Sequence, residues 1–230
     1  MNYKVVIPAA GEGKRMKAGK NKLWLQLDGQ PLIVYALSVF QHDEQCSEII
    51  VAAHPSEIQR MASLFSRFGL SKVTQIVPGG AERQDSVYEG LKACAEEEIV
   101  LIHDGARPFV TLPVVHRLAA EAEHGGAAVP AVPVKDTVKK VKDGIVTETL
   151  ERSSLWGVQT PQAFRLSLVR KAHEQAKAAG FTATDDASLL EWMGHPVTVV
   201  ESSYDNIKIT TPDDLVTARA ILAKRREEKY

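Results

Sequence analysis

Apolar runs of strand length alternate with stretches of helical period along this chain of 230 residues. The runs Lys4–Pro8, Glu48–Ala53, Val73–Val77, Ile99–His103, Ala127–Val132 and Val197–Val200 are rich in apolar residues, the pattern of strands covered on both faces. Between the second and third, Ile58, Met61, Phe65 and Phe68 fall at i, i+3, i+7 and i+10, which predicts a helix with one buried face. Near the C-terminus Thr211 is placed to cap a helix, Pro212 suits its first turn, and Asp213 and Asp214 complement its dipole. Leu215, Ala218 and Leu222 then form its inner stripe. Alternation of this kind predicts a Rossmann-like α/β fold, a mainly parallel sheet with helices on both faces, and ligands gathered at the carboxyl ends of the strands.

One stretch breaks the alternation. Residues 133–150, PVKDTVKKVKDGIVTETL, read as two β-rich segments around Asp143-Gly144, a strong hairpin signal. Val138, Val141, Ile145 and Val146 are too few to build a core, so the stretch is either a surface hairpin or an arm that packs on another subunit. No repeat, low-complexity tract or linker divides the rest, and 1–230 reads as a single domain carrying that arm. The charge run 224–229 reads as a solvated helix end.

Charge narrows the partners. The formal net charge is -1, which provides no general basic field for nucleic acid, and aromatics are only 6% with no stacking motif. A binder of anions must concentrate its cations locally, as Lys14, Arg15, Lys17, Lys20 and Lys22 do with only Glu12 opposing them. Cys46 and Cys94 are the only cysteines, too few for a disulfide scaffold. The histidines have no zinc-ligand spacing. No run of about 18 apolar residues predicts a membrane span, and the early first strand leaves no room for a signal peptide. A cytoplasmic protein is the expectation.

Candidate chemistry begins with PAAGEGKRM, residues 8–16, directly after the first apolar run. The Walker pattern fails because five residues separate Gly13 from Gly19 and Asn21 follows Lys20. The dinucleotide pattern fails because Met16 stands at its third glycine. Even so, Ala9, Ala10, Gly11 and Gly13 let the backbone approach a ligand, and Arg15 and Lys22 can reach phosphate oxygens. A plain strand–helix connection is the alternative. In VLIHDGARP, residues 100–108, Asp104 ends a strand, where a carboxylate can hold magnesium or simply satisfy turn amides. Arg107 fits an ion pair equally well. GGAERQDSV, residues 79–87, offers a glycine pair and Ser86 at a helix start, suited to reading a planar base or to ordinary capping. Lys208 falls in a short strand between Ile207 and Ile209. Thr184 is placed to cap a helix, and Thr137 and Arg152 lie on or beside the arm.

The joint order of these elements is more specific than any one of them. Pro-Ala-Ala-Gly-x-Gly-x-Arg-Met, Lys22, Gly-Gly-x-x-Arg-x-x-Ser-Val, His-Asp-x-Ala-Arg-Pro, Asp-Thr, Leu-x-Arg, Thr-Pro-Gln, Thr-Asp-x-Ala-Ser and Asp-Asn-Ile-Lys run from residue 8 to 208. Across essentially the whole chain this order resembles the 2-C-methyl-D-erythritol 4-phosphate cytidylyltransferases of non-mevalonate isoprenoid synthesis. The resemblance implies a nucleotidyltransferase domain that moves CMP from CTP to methylerythritol phosphate, uses a divalent cation, usually Mg2+, and forms a homodimer by exchanging β-arms. It implies that Pro8, Ala9, Ala10, Gly11 and Gly13 wrap the nucleotide, with Gly80, Arg83 and Ser86 around cytosine and Asp104 at the metal. It makes Arg15, Lys22, Arg152 and Lys208 catalytic, acting at the phosphates in the reaction, with Lys208 also binding the substrate. Arg107, Thr137, Arg152 and Thr184 go to methylerythritol phosphate, Thr137 and Arg152 from the partner's arm. Three positions depart from the family pattern: Asn21 where many members have proline, Ala81 where an acid can occur, and Lys135 where arginine can stand. The competing expectations are a CDP-ribitol-type or other polyol-phosphate nucleotidyltransferase, and a non-catalytic nucleotide sensor.

Overall fold

In a computed structural model, which describes residues 2–11, 21–94 and 99–227, all six expected strands form. In chain order the elements are β1 (Tyr3–Ala9), β2 (Gln26–Leu27), β3 (Gln30–Pro31), α1 (Leu32–Gln41), β4 (Cys46–Ala53), α2 (Ile58–Arg67), β5 (Val73–Pro78), α3 (Arg83–Ala93) and β6 (Ile99–Ile102). There follow α4 (Leu112–Gly125), β7 (Ala127–Pro133), β8 (Lys139–Lys142), β9 (Ile145–Thr149), β10 (Trp156–Val158), β11 (Gln162–Arg165), α5 (Leu166–Ala179), α6 (Asp186–Trp192), β12 (Thr198–Glu201) and α7 (Pro212–Glu227).

The large sheet has the order β10-β7-β11-β6-β1-β4-β5, and β12 pairs with β7. β1 pairs in parallel with β4 and β6, as do β4 with β5 and β12 with β7. The exceptions are β10, antiparallel to β7, and β11, which runs antiparallel to both β6 and β7 and separates them. Gln162-Ala163-Phe164-Arg165 is too short and too polar to announce itself, and its burial comes from that central position.

Alternation along β1 divides the core. Val5 and Ile7 join one cluster with Leu37 and Phe40 of α1, Met61 and Phe65 of α2, and Val115 and Leu118 of α4. Val6 joins the opposite cluster with Val87 and Leu91 of α3, Val169 of α5 and Leu190 of α6. The sheet is therefore covered on both faces, as its apolar strands require. A smaller cluster seats Ala218 and Ile221 of α7 on Leu27, Leu32 and Phe109, with Leu215 and Leu222 packed at its margin. Thr211 caps α7 as the sequence implies, its hydroxyl accepting the Asp214 N–H at 3.3 Å.

The hairpin also forms. Asp143 and Gly144 both have positive φ, 53° and 78°, the backbone of a type I′ turn, and Lys140 pairs with Glu148 at 2.6 Å. Every residue of β8 and β9 is exposed. Two local expectations are corrected. Lys208 lies in an irregular segment and not in a strand, because the N–H of Ile209 to the Ala106 carbonyl, 2.9 Å, is the tie there and no ladder forms. Thr184 does not cap α6; Asp185 does, its carboxylate accepting the Ser188 N–H at 3.0 Å.

Helix α3 carries Gly90 against β1, where an added Cβ would lie 2.5 Å from Val6 Cγ1. Gly90→Ala gains helix propensity of about 1 kcal/mol, but overpacking at a buried strand costs about 1–3 kcal/mol. Net destabilisation is the expected outcome in urea denaturation, and a midpoint equal to or above that of the parent would show that α3 yields without cost.

Candidate active site

The carboxyl ends of β1, β4, β5 and β6 open on a cleft of about 690 Å³, a size suited to a nucleotide-sized ligand. Pro8, Ala9, Ala10 and Gly11 line it from β1, His54 and Pro55 from β4, the stretch 79–83 with Ser86 from β5, and Asp104 from β6. Lys22 enters on a short 3-10 turn, Lys22–Trp24, and Lys208 on the segment before α7.

Backbone closeness is built into the β5 side. A Cβ on Gly79 would stand 2.5 Å from Ala10 Cβ, and one on Gly80 would stand 2.2 Å from Asp85 Cβ. Ser86 Oγ accepts the Gly80 N–H at 3.1 Å and so folds the glycine loop onto α3. Capping of α3 falls instead to Glu82 and Asp85, which form a capping box.

Alternating charges cross the floor of the cleft. Lys208 Nζ lies 2.6 Å from Asp104 Oδ2, Arg83 Nε 3.2 Å from Asp104 Oδ1, and Arg83 Nη1 2.8 Å from Asp186 Oδ2. Burial alone would favour neutral Asp104, but Arg83 and Lys208 outweigh it and hold the carboxyl well below the usual range. Burial likewise opposes the charge on Arg83, yet Asp186 and Asp104 raise its pKa above the ordinary value. Asp186 is 1% exposed and is also lowered, since Arg83 overcomes the burial that opposes ionisation. His173 Nε2 stands 3.3 Å from Asp186 Oδ1 without hydrogen-bond geometry, and its ring stacks on Tyr88.

Neighbouring strands hold this network in place. Thr160 Oγ1 accepts the Asp104 N–H at 3.0 Å and donates to His103 Nδ1 at 3.2 Å. The ring proton of His103 therefore sits on Nε2, which donates to the Arg107 carbonyl at 3.0 Å. Burial lowers the His103 pKa to about 4, so the ring is neutral at pH 7. Gln162 of β11 donates to Asp185 Oδ2 at 2.7 Å and accepts the N–H groups of Asp186 and Ala187, both at 3.1 Å. Asn206 donates to Gln159 Oε1 and the Thr160 carbonyl, and its own backbone carbonyl accepts Arg107 Nη1 at 2.7 Å. These bonds set the segment that carries Lys208 against the turn that carries Asp104.

The cleft thus gathers Pro8, Ala9, Ala10, Gly11, Lys22, Gly80, Arg83, Ser86, Asp104 and Lys208. Arg107, half-buried, turns to Asn206, and its Nε is buried without a hydrogen bond. Thr137, Arg152 and Thr184 are exposed and do not line the cleft within this chain; Arg152 Nη1 donates to the Lys135 carbonyl at 2.9 Å. Gly13 and Arg15 lie outside the described residues. Among the described residues no group of three or more His, Cys, Asp or Glu side chains is placed to hold a metal ion, and no helix is long and apolar enough to cross a membrane.

The arrangement combines close backbone approach with cations beside a fixed carboxylate, which suits a polyphosphate ligand. The sequence pattern of the IspD family, 2-C-methyl-D-erythritol 4-phosphate cytidylyltransferase, matches residues 3–224. This chain belongs to that family. It is 57% identical over 228 residues to the 2-C-methyl-D-erythritol 4-phosphate cytidylyltransferase of Geobacillus kaustophilus (strain HTA426), covering 99% of this chain and 100% of the relative. The crystal structure of 4-diphosphocytidyl-2C-methyl-D-erythritol synthase from Anaerococcus prevotii DSM 20548 superposes with a TM-score of 0.84 at 30% identity, covering 96% of each chain. The 2-C-methyl-D-erythritol 4-phosphate cytidylyltransferase from Thermus thermophilus gives 0.80 at 36% identity, covering 96% of this chain and 98% of the other.

In this cytidylyltransferase-family chain, sequence reasoning left Gln162 and Asp186 without roles although both fall in the Thr-Pro-Gln and Thr-Asp-x-Ala-Ser motifs. A polar residue at 1% exposure in such a motif is the signal, and only the fold makes it visible. Asp186→Asn removes one of two carboxylates from Arg83. Breaking a buried pair from one side costs roughly 3–5 kcal/mol, to be read as reduced unfolding free energy in urea. A loss below about 1 kcal/mol, the level of an ordinary substitution, would show that Asp104 alone suffices for Arg83.

Proposed function

We propose that this protein transfers CMP from CTP to 2-C-methyl-D-erythritol 4-phosphate, giving 4-diphosphocytidyl-2-C-methyl-D-erythritol and pyrophosphate for isoprenoid precursor synthesis. The observation that carries this reading is the Lys208–Asp104–Arg83 ion network at the floor of the glycine-lined cleft, in a chain that matches the family pattern over residues 3–224.

The nucleophile is an oxygen of the acceptor phosphate, already anionic at neutral pH, so no general base is required. That oxygen forms a bond to the α-phosphorus of CTP in line with the departing group, and the bond to the β-phosphate bridging oxygen breaks. Pyrophosphate leaves with the electron pair. The difficulty is electrostatic, because two polyanions meet and charge builds on the oxygens in transit. Lys22 and Lys208 answer it in the cleft, and the family resemblance adds Arg15 to them. The backbone of residues 8–11 and Gly13 wraps the phosphates and sugar, and Gly80, Arg83 and Ser86 surround the base.

A divalent cation fits this donor set. Magnesium is held by one or two carboxylates together with substrate phosphates, and Asp104 is an ionised carboxylate facing the cleft. Asp104 would hold the ion together with CTP oxygens, sharing the carboxylate with Arg83 and Lys208. Bound there, the ion would supply further neutralisation of the triphosphate.

Arg107 and Thr184 are assigned to the acceptor phosphate and polyol, joined by Thr137 and Arg152 from the arm of a second subunit. Exposure of Val141, Ile145 and Val146, at 58%, 70% and 56%, supports an arm that is covered in a homodimer. On this reading 1–230 is one nucleotidyltransferase domain with 133–150 as its dimerisation arm, and its soluble phosphorylated substrates suit the cytoplasm.

Pyrophosphate release from CTP, measured with magnesium across a panel of polyol phosphates, tests the assignment. Selective turnover of methylerythritol phosphate is expected, and equal rates with ribitol phosphate would make the protein a broader polyol-phosphate transferase. Lys22→Ala is expected to lose about 10²-fold or more in kcat, as when a preorganised charge stabiliser is deleted. A rate near that of the parent would remove Lys22 from the mechanism.

A further inference from the structure

A carboxylate that does not line the cleft, that of Glu57, ties down the turn that presents Lys22. Asn21, 8% exposed, accepts the Leu23 N–H on Oδ1 at 3.1 Å. Its Nδ2 donates to the Ala9 carbonyl at 2.9 Å and to Glu57 Oε2 at 2.8 Å. The second oxygen of Glu57, Oε1, accepts the indole N–H of Trp24 at 2.6 Å. Arg60 covers the indole face, 3.8 Å from the ring centroid. Glu57 ends the 3-10 turn Pro55–Glu57, and Pro55 of that turn lines the cleft together with Lys22. Leu23, between the two clamped residues, is buried in the core.

From this geometry we propose that Glu57 is a positioning residue for the transfer reaction: it grips Asn21 and Trp24, on either side of Lys22, and fixes where that lysine meets the phosphates. The inference rests on the role given to Lys22 above. It also explains how Asn21 serves here. Asn21 supplies the turn with a cap, a tie to the end of β1 and a tie to the loop after β4, so three walls of the cleft share one hydrogen-bonded unit.

The chemistry of the clamp makes a sharp requirement. Both partners of Glu57 are N–H donors, and a carboxylate can accept from both. Glutamine has the same shape but one accepting oxygen, so Glu57→Gln turns an NH2 group toward either Asn21 Nδ2 or the indole N–H. The Lys22 turn must then shift. Misplacement of a charge-stabilising group by about 1 Å can cost up to 10²-fold in rate, and a partial shift is expected to lower kcat by about tenfold while KM for methylerythritol phosphate changes by less than about twofold.

Trp24→Phe in the Glu57→Gln background removes one competing donor and lets the glutamine oxygen face Asn21. The double variant is therefore expected to recover kcat relative to Glu57→Gln, a rescue that general loss of structure would not produce. Steady-state kinetics are read beside Lys22→Ala. If Lys22→Ala is impaired but Glu57→Gln matches the parent, or the double variant is no faster than Glu57→Gln, the positioning role is overturned. If Lys22→Ala itself keeps the parent rate, the reading of Lys22 fails and this inference with it. Should Glu57→Gln not fold, Asn21→Ala cuts the same tie from the other end. A loss of kcat at steady KM supports the clamp, and an unchanged kcat overturns it.

Discussion

Arg83 stands between two buried carboxylates, and the cleft depends on that arrangement. A guanidinium drawn partly out of water needs compensation, and Asp104 and Asp186 provide it at 3.2 and 2.8 Å. Lys208 completes the series, so cation and anion alternate from the cleft to the interior and each charge of the series has an opposite neighbour. The consequence is directional. Arg83 cannot swing freely, because its Nε and Nη1 are each held by a carboxylate, and α3 begins at this residue.

The antiparallel strand β11 makes this network possible. Lying between β6 and β7, it brings Thr160 beside the Asp104 amide and Gln162 beside the start of α6. One carboxylate of the network is thus set by a residue just before the strand and the other by its first side chain. A purely parallel sheet would place β7 directly against β6 and leave Asp104 and Asp186 without common support. Stability and site geometry share this strand, and they cannot be tuned separately.

How much of this was readable in the sequence follows from range. Strands such as Ile99–Ile102 and Cys46–Ala53 are largely apolar and declare themselves locally. The glycine loops and Lys22 declare themselves by residue type, since close backbone approach and concentrated charge each need particular side chains. β11 does not, because the burial of Gln162 and Ala163 is conferred by strands distant in sequence. Ile207 and Ile209 mimic strand alternation around Lys208, but the periodicity reflects packing on α7 and the Ala106 turn. Thr184 and Asp185 show the same limit at single-residue scale: either can cap a helix, and the choice is made where Gln162 grips Asp185.

The arm poses the opposite problem, since its local structure is legible and its purpose is not local. Asp143-Gly144 sets a tight turn, Lys140 and Glu148 pair across it, and Val141 faces Val146. A two-stranded ribbon is marginal in water unless a third element covers one face. Nothing in β8 or β9 is buried here, so the ribbon gains little from the domain that bears it. Three exposed branched side chains on such a ribbon forgo burial worth roughly 25 cal/mol for each Å² of apolar surface. Covering them with a second copy would recover that energy and would bring Arg152 and Thr137, at the base of the arm, to another subunit. Dimer stability and completion of the acceptor site would then be one event, which is why the exchange is proposed as part of the catalytic unit.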